Sequence, residues 1–214
     1  MRHLLAAGSA SGRDHSLSER PNQDAYALLQ GSWGAVAVVC DGCGSEPHSG
    51  VGARIGACMT ARLAAEQLES SGGLDLRRLQ LELLSRLCAV AEAACIGVRE
   101  HLLFTVIGAA CAGQTATVFA CGDGVLAVDG AVRRLGPFPG NAPPYLAYGL
   151  DLVRLYQGPA SSVLIGTDGA ADIDLSRFWN EERFLRNPDM VRRTLRTLRL
   201  ADDATVAVIL GREA

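Results

Sequence analysis

The chain has 214 residues, 49% of them hydrophobic and 20% charged, with a net charge of −3. That is enough apolar material for a sizeable core, and it excludes a disordered chain. The charge gives no global attraction to nucleic acid, and no stretch reaches the ~18 apolar residues of a membrane helix. The opening Met1-Arg2-His3-Leu4-Leu5-Ala6-Ala7-Gly8 is too short an apolar run for a secretory signal. The expectation is one soluble, cytoplasmic, monomeric domain over 1–214 with neither nucleic-acid nor membrane partners.

In chain order, strands are expected near 3–8, 25–29 and 33–40. A helix rich in small residues follows from about Ser49 to Glu69. Gly72-Gly73 breaks it, and Asp75 can cap a second helix running to about Arg99. Leu76, Leu79, Leu83, Leu84, Leu87, Val90, Ala91 and Ala94 recur there at helical spacing and form one apolar face. Strands resume near 102–111, 114–121 and 124–128, and Asp129-Gly130 is a hairpin signal before 131–134. The Gly- and Pro-rich segment 136–149 reads as a loop. Strands near 151–156 and 162–167, helical pieces at 175–186 and 188–199, and a last strand from Thr205 to Leu210 complete the chain. Helices inserted between blocks of antiparallel strands imply an α+β layered fold.

The seven cysteines are an odd number, and Cys58, Cys88, Cys95, Cys111 and Cys121 lie in apolar segments. Reduced, buried thiols suit that pattern better than a disulfide framework. Cys40-Asp41-Gly42-Cys43 is formally a Cys-x-x-Cys, but no second pair or paired His follows, so two unpaired thiols flanking a functional Asp-Gly is the preferred reading. The arginines 192, 193, 196 and 199 read as a solvated helix face. His48 and His101 read as structural or surface residues.

Five acidic segments carry the chemistry: Asn22-Gln23-Asp24, Asp41-Gly42-Cys43-Gly44, Cys121-Gly122-Asp123-Gly124, Thr167-Asp168-Gly169-Ala170-Ala171-Asp172 and Asp202-Asp203-Ala204-Thr205. Several sit where an apolar run ends: Val36–Cys40 delivers Asp41, and Ser162–Thr167 delivers Asp168. Unpaired carboxylates at buried strand ends repel and resist burial, so a cluster of them implies hard divalent cations with oxygen ligands. Two such cations suit phosphoester hydrolysis, because they activate water and offset phosphoryl charge. Small neighbours such as Gly42 and Gly169 leave room for backbone carbonyls to ligate.

As an ordered set, these motifs resemble the metal-dependent serine/threonine protein phosphatases of type 2C. The nearest likeness is to the short bacterial branch, through Asp14-His15 followed by Arg20-Pro21-Asn22-Gln23-Asp24-Ala25, and through Asp41-Gly42-Cys43-Gly44-Ser45 before a Gly/Ala-rich helix. The resemblance runs from about Ser9 to Leu210 and implies a four-layer α-β-β-α sandwich with two central, mainly antiparallel sheets. It implies two Mg2+ or Mn2+ ions, with Asp41 bridging them, Gly42 ligating through its carbonyl, and Asp168 and Asp202 completing one shell. Asp24 would ligate directly or hold metal-bound water, and Asp123 and Asp172 would bind a third, weaker ion. A bridging hydroxide would attack phosphoserine or phosphothreonine directly, and the partners would be a phosphorylated protein and a cognate serine/threonine kinase.

The chain departs from the family at the phosphate-binding arginine, whose usual place is taken by Glu19; Arg20 or Arg13 is the expected substitute. His15 is a candidate general acid toward the leaving alkoxide. The short stretch between Gly130 and Ser162 implies a reduced substrate flap. Two other readings stay open at this point: a pseudophosphatase serving as a binding module, and a hydrolase of a small phosphorylated molecule.

Overall fold

The computed structural model describes residues 2–212, and for Asn141 the backbone alone. In chain order the elements are β1 (Arg2–Ala10), α1 (Arg13–Leu17), β2 (Ala25–Gly31), β3 (Gly34–Gly42), α2 (Ser49–Ser71), α3 (Leu76–Ala94) and α4 (Val98–His101). Then come β4 (Phe104–Ala112), β5 (Thr115–Cys121), β6 (Gly124–Val128), β7 (Ala131–Leu135), β8 (Val153–Pro159) and β9 (Ser162–Gly166). The chain closes with α5 (Ser176–Asn180), α6 (Arg183–Arg186), α7 (Asp189–Leu198) and β10 (Ala204–Arg212).

The strands form two five-stranded sheets, ordered β1-β10-β9-β6-β7 and β2-β3-β4-β5-β8. Every pairing is antiparallel. Strand alternation dictates the layering. In β3, Ala35, Ala37 and Val39 face a core shared with Ile107, Val118, Ile165 and Ile209 from both sheets. The intervening Val36, Val38 and Cys40 pack with Leu63, Leu79 and Leu83 of α2 and α3. On the far side, Val206 and Val208 of β10 pack with Phe178, Phe184, Val191 and Leu195 of α5, α6 and α7. Each sheet is therefore apolar on both faces, and the fold is the expected α+β four-layer α-β-β-α sandwich. Each fully buried Leu, Ile or Phe contributes roughly 1.5–3 kcal/mol to holding the layers together.

Three local expectations need correction. The second helix stops at Ala94 instead of running to about Arg99. Cys95 adopts the left-handed conformation (φ 53°, ψ 42°), and its N–H bonds back to the Ala91 and Glu92 carbonyls. That closure normally falls to Gly, so a Cys gives little warning of it. The piece expected at 175–186 is two short helices, because Glu181 between them is extended. The short helix α1, which carries His15, was not anticipated. A further correction concerns the thiols: Cys58, Cys88 and Cys95 are exposed, whereas Cys40, Cys111 and Cys121 are buried, and all seven are free. Helical periodicity turns Cys58 and Cys88 away from the buried faces of α2 and α3.

Tight packing fixes the end of the sandwich where α2 begins. A Cβ on Gly52 would collide with the His101 carbonyl of α4. Backbone bonds from His48 N–H to Glu100 O (3.2 Å) and from Cys43 N–H to Leu103 O (2.9 Å) tie the 43–48 loop to α4 and the start of β4.

Candidate active site

The acidic residues are continuations of the inter-sheet faces. Odd-numbered positions of β3 point between the sheets up to Val39, so Asp41 comes next on that face, and the same parity carries Ile165 on to Thr167 and Ala207 back to Thr205 and Asp203. At this end of the sandwich the apolar layer between the sheets gives way to carboxylates.

Asp24 and Asp41 lie at its centre, close enough for each carboxyl to influence the other's ionisation. Asp24 is buried, and its Oδ2 accepts from Thr167 Oγ1 (2.7 Å). Among the described residues its buried Oδ1 has no donor. Burial, opposed by hydrogen bonds from Thr167 and Thr205 and reinforced by the Asp203 charge, pushes the Asp24 carboxyl up to about 7. Asp41 is raised well above the carboxylate range, first by burial and then by the charges of Asp24, Asp168 and Asp202. Burial and the Asp168 charge take Asp123 to about 6, and Asp202 is raised mainly by burial. Two carboxyls this close in a desolvated site are stable together only with a proton or a cation to offset their repulsion.

Asp41, Gly42, Asp123, Asp168 and Asp202 line a cavity of about 600 Å³. A Cβ on Gly42 would lie 2.8 Å from the Ser49 carbonyl carbon, and one on Gly169 would collide with the Asp203 carbonyl. These glycines let the acidic loops close against neighbouring backbone. Among the described residues no three His, Cys, Asp or Glu side chains converge tightly enough to grip an ion on protein atoms alone. The donors are oxygens, one of them buried without a partner, beside a roomy cavity. That set fits hard cations that keep part of their water shell, the habit of Mg2+ in particular.

Asp203 organises the N-terminal side. Buried, it accepts from Gly12 N–H (2.8 Å), Gln23 N–H (2.6 Å) and His15 Nδ1 (2.8 Å). Two segments far from Asp203 in sequence, the start of α1 and the residue next to Asp24, are thus gathered on one carboxylate. His15 lines the cavity with Nδ1 committed to Asp203, leaving Nε2 for other partners.

The other expected residues lie elsewhere. Neither Arg20 nor Arg13 lines the cavity. Arg20 Nη1 donates to the Gly44 carbonyl (2.8 Å), and exposed Arg13 pairs with Asp14 (3.4 Å). Asp172 also stands outside the wall, exposed and paired with Arg134 (2.7 Å). The turn after Asp168-Gly169-Ala170 carries Asp172 toward solvent and this guanidinium, whereas Asp123 is held in the wall.

Several cavity residues carried no sequence signal. Arg99 lines the wall and pairs with Glu46 (3.1 Å), and Tyr145 and Tyr148 face it from the 136–149 loop with ring centroids 6.2 Å apart. Burial, assisted by Cys43, raises the Tyr145 phenol. Cys43 is in the wall, as its neighbourhood to Asp41 implied. His48 and His101, read as structural or surface residues, stack on each other at 4.9 Å. Only the doubling of Asp202-Asp203 hinted that one of the pair has a structural task.

The four-layer α-β-β-α sandwich matches the fold of the type 2C phosphatases. The family model described as protein phosphatase 2C matches residues 11–140, more than half of the chain, and the chain belongs to that family. The fold is similar to that of a bacterial serine phosphatase (TM-score 0.68, 12% identity, 98% of this chain and 99% of that one). It is similar to serine/threonine phosphatase Stp1 from Staphylococcus aureus (TM-score 0.66, 13% identity, 100% and 96%). It is also similar to the catalytic domain of serine threonine protein phosphatase PstP, solved with 2 manganese ions (TM-score 0.57, 18% identity, 98% and 99%). No curated protein is matched by the sequence. Among the described residues, no helix is long and apolar enough to cross a membrane.

Proposed function

We propose that this chain is a metal-dependent phosphoprotein phosphatase that hydrolyses phosphoserine or phosphothreonine, acting as one catalytic unit whose flap is reduced to the 136–149 loop. The observation that carries this reading is the Asp24–Asp41 pair, Asp24 buried and Asp41 half-buried in the cavity wall, with both carboxyls raised and Asp24 Oδ1 without a donor among the described residues. Such a pair is held ready for divalent charge. Asp24, Asp41, the Gly42 carbonyl, Asp168 and Asp202 are the proposed ligands of two Mg2+ or Mn2+ ions. Asp123 is the candidate for a third; Asp172 would join it only by leaving Arg134. When bound, the ions would lower the pKa of water and offset charge on the phosphoryl oxygens.

The chain's own groups would do the remaining work. Asp24, fixed by Thr167, positions water near the phosphorus. Asp203 holds His15 by Nδ1, so Nε2–H of the protonated ring can pass a proton to the serine or threonine oxygen as its bond to phosphorus breaks. Water supplies the oxygen that replaces it, and the products are inorganic phosphate and the free hydroxyl. The proposed partners are a phosphorylated protein and the serine/threonine kinase that makes it, with the chain working as a monomer in the cytoplasm.

Phosphate release from a phosphothreonine peptide, with and without Mn2+, tests this in the wild type and Asp41→Asn. Release that requires Mn2+ and is lost in the variant is expected. A folded wild type that binds Mn2+ yet releases no phosphate from the peptide would overturn it. Activity toward small phosphoesters alone would then favour a small-molecule substrate.

A further inference from the structure

Among the described residues the cavity wall carries five carboxylates, from Asp41, Glu46, Asp123, Asp168 and Asp202, but a single arginine, Arg99. Of the arginines that sequence position favoured, Arg20 is engaged with the carbonyl of Gly44, a wall residue, without lining the cavity itself, and Arg13 pairs with Asp14. We propose that Arg99 is the guanidinium that binds the substrate's phosphate, moved in this chain from the N-terminal segment to α4. This rests on the phosphatase reading and specifies how that site holds its substrate.

Position and chemistry both support the assignment. Arg99 sits on a four-residue helix pinned to the loop that follows Asp41-Gly42 by the His48–Glu100 and Cys43–Leu103 backbone bonds. The packing of Gly52 against His101 fixes the same turn. The base of the side chain is therefore rigid relative to the acidic cluster, while the guanidinium itself is 79% exposed. Its only hydrogen-bond partner among the described residues is Glu46, through Nε. A guanidinium has five N–H donors in a planar fork, so one carboxylate leaves donors for a phosphate. Glu46 is itself anchored: its N–H bonds to Cys43 O (2.9 Å) and its carbonyl accepts from Gln23 Nε2 (2.8 Å). It thus holds the arginine at the cavity rim. An always-charged cation there also offsets the acidic wall that a phosphate dianion must approach.

The test is calorimetric binding of inorganic phosphate to the Mg2+-loaded protein, alongside KM and kcat for a phosphothreonine peptide. It compares wild type, Arg99→Ala, Arg99→Lys and Arg20→Ala, with Mg2+ affinity and melting temperature as checks on folding. Arg99→Ala is expected to weaken phosphate binding and raise KM by about 10- to 100-fold, with Mg2+ affinity retained. Arg99→Lys is expected to restore only part of the loss, because an ammonium lacks the planar fork. Phosphate affinity in Arg99→Ala within threefold of wild type would overturn the proposal, as would a larger loss in Arg20→Ala. Tight, Arg99-dependent phosphate binding without turnover would leave this assignment standing and sink the phosphatase reading instead.

Discussion

The carboxylates of this protein live in two opposite environments. In and beside the outer helices, Asp174 and Glu182 are exposed, Asp189 is half-exposed, and all three are already satisfied. Asp174 accepts from Ser176, Glu182 pairs with Arg212 and Arg186, and Asp189 pairs with Arg193 and Arg192. These partners hold all three carboxyls below their ordinary range. At the end of the sandwich, Asp24, Asp41, Asp123 and Asp202 are raised, because burial dominates and their nearest charged neighbours are mostly other acids. The same side chain is a finished surface contact in one region and an unmet demand for positive charge in the other. That difference, more than the number of acids, marks the functional end of the molecule.

Substitution at the centre breaks the comparison most sharply. Asp41→Asn removes the charge through which Asp41 would hold both ions, and phosphatase activity should fall about 1000-fold or more, a loss of ~4 kcal/mol in transition-state stabilisation. Steady-state assays with saturating Mn2+ check this. Next in size is Asp203→Ala, which strands the Gly12 and Gln23 N–H groups and releases His15. Each lost partner of a buried donor costs about 1–3 kcal/mol, so chemical denaturation should show a loss of several kcal/mol and activity should drop. Asp203→Asn, which keeps acceptor capacity, should lose less.

The two regions also respond oppositely to pH. In the metal-free protein Asp24 has a folded pKa of about 7 against an ordinary 3.8. The folded state therefore binds the extra proton between these values, and stability falls as pH rises through about 4 to 7. The lowered carboxyls of Asp174, Glu182 and Asp189 work the other way, adding stability that is lost as pH falls below their ordinary range. Thermal melts of the metal-free protein between about pH 5 and 7.5 should show the first trend. Added Mn2+ should raise the melting temperature more at the upper end of that range. The smallest effect belongs to the surface: Asp189→Asn should leave activity and the response to Mn2+ unchanged, since exposed pairs add little.

How much of this was legible in the sequence follows from the same contrast. Strands and layers were readable because apolar runs such as Val36–Cys40 and Ser162–Gly166 carry their burial in their composition, and the leucine stripe of α3 carries its period. The acidic strand ends were readable because Asp after an apolar run conflicts with burial. What escaped notice depends on local backbone choice and distant contacts. Cys95 ends α3 in a conformation usually given to Gly, and that early stop puts Arg99 on its own turn beside the cavity. The Asp203 clamp joins residues 180 to 191 positions apart, beyond any local pattern. Arg20 stood at a favoured position in the sequence, but only the fold shows its guanidinium turned to the Gly44 carbonyl.

The central claim is that the Asp24–Asp41 pair holds protons until a divalent ion takes their place. Calorimetric titration of Mn2+ at about pH 6.5, in two buffers of different ionisation enthalpy, tests it most directly, because an ion that displaces protons from a carboxyl of pKa near 7 must release them to the buffer. The account predicts a binding heat that differs between the buffers in proportion to their ionisation enthalpies, corresponding to release of about one proton or more per protein, and a loss of both binding and proton release in Asp41→Asn. Binding with no buffer dependence, or undiminished binding in Asp41→Asn, would contradict it.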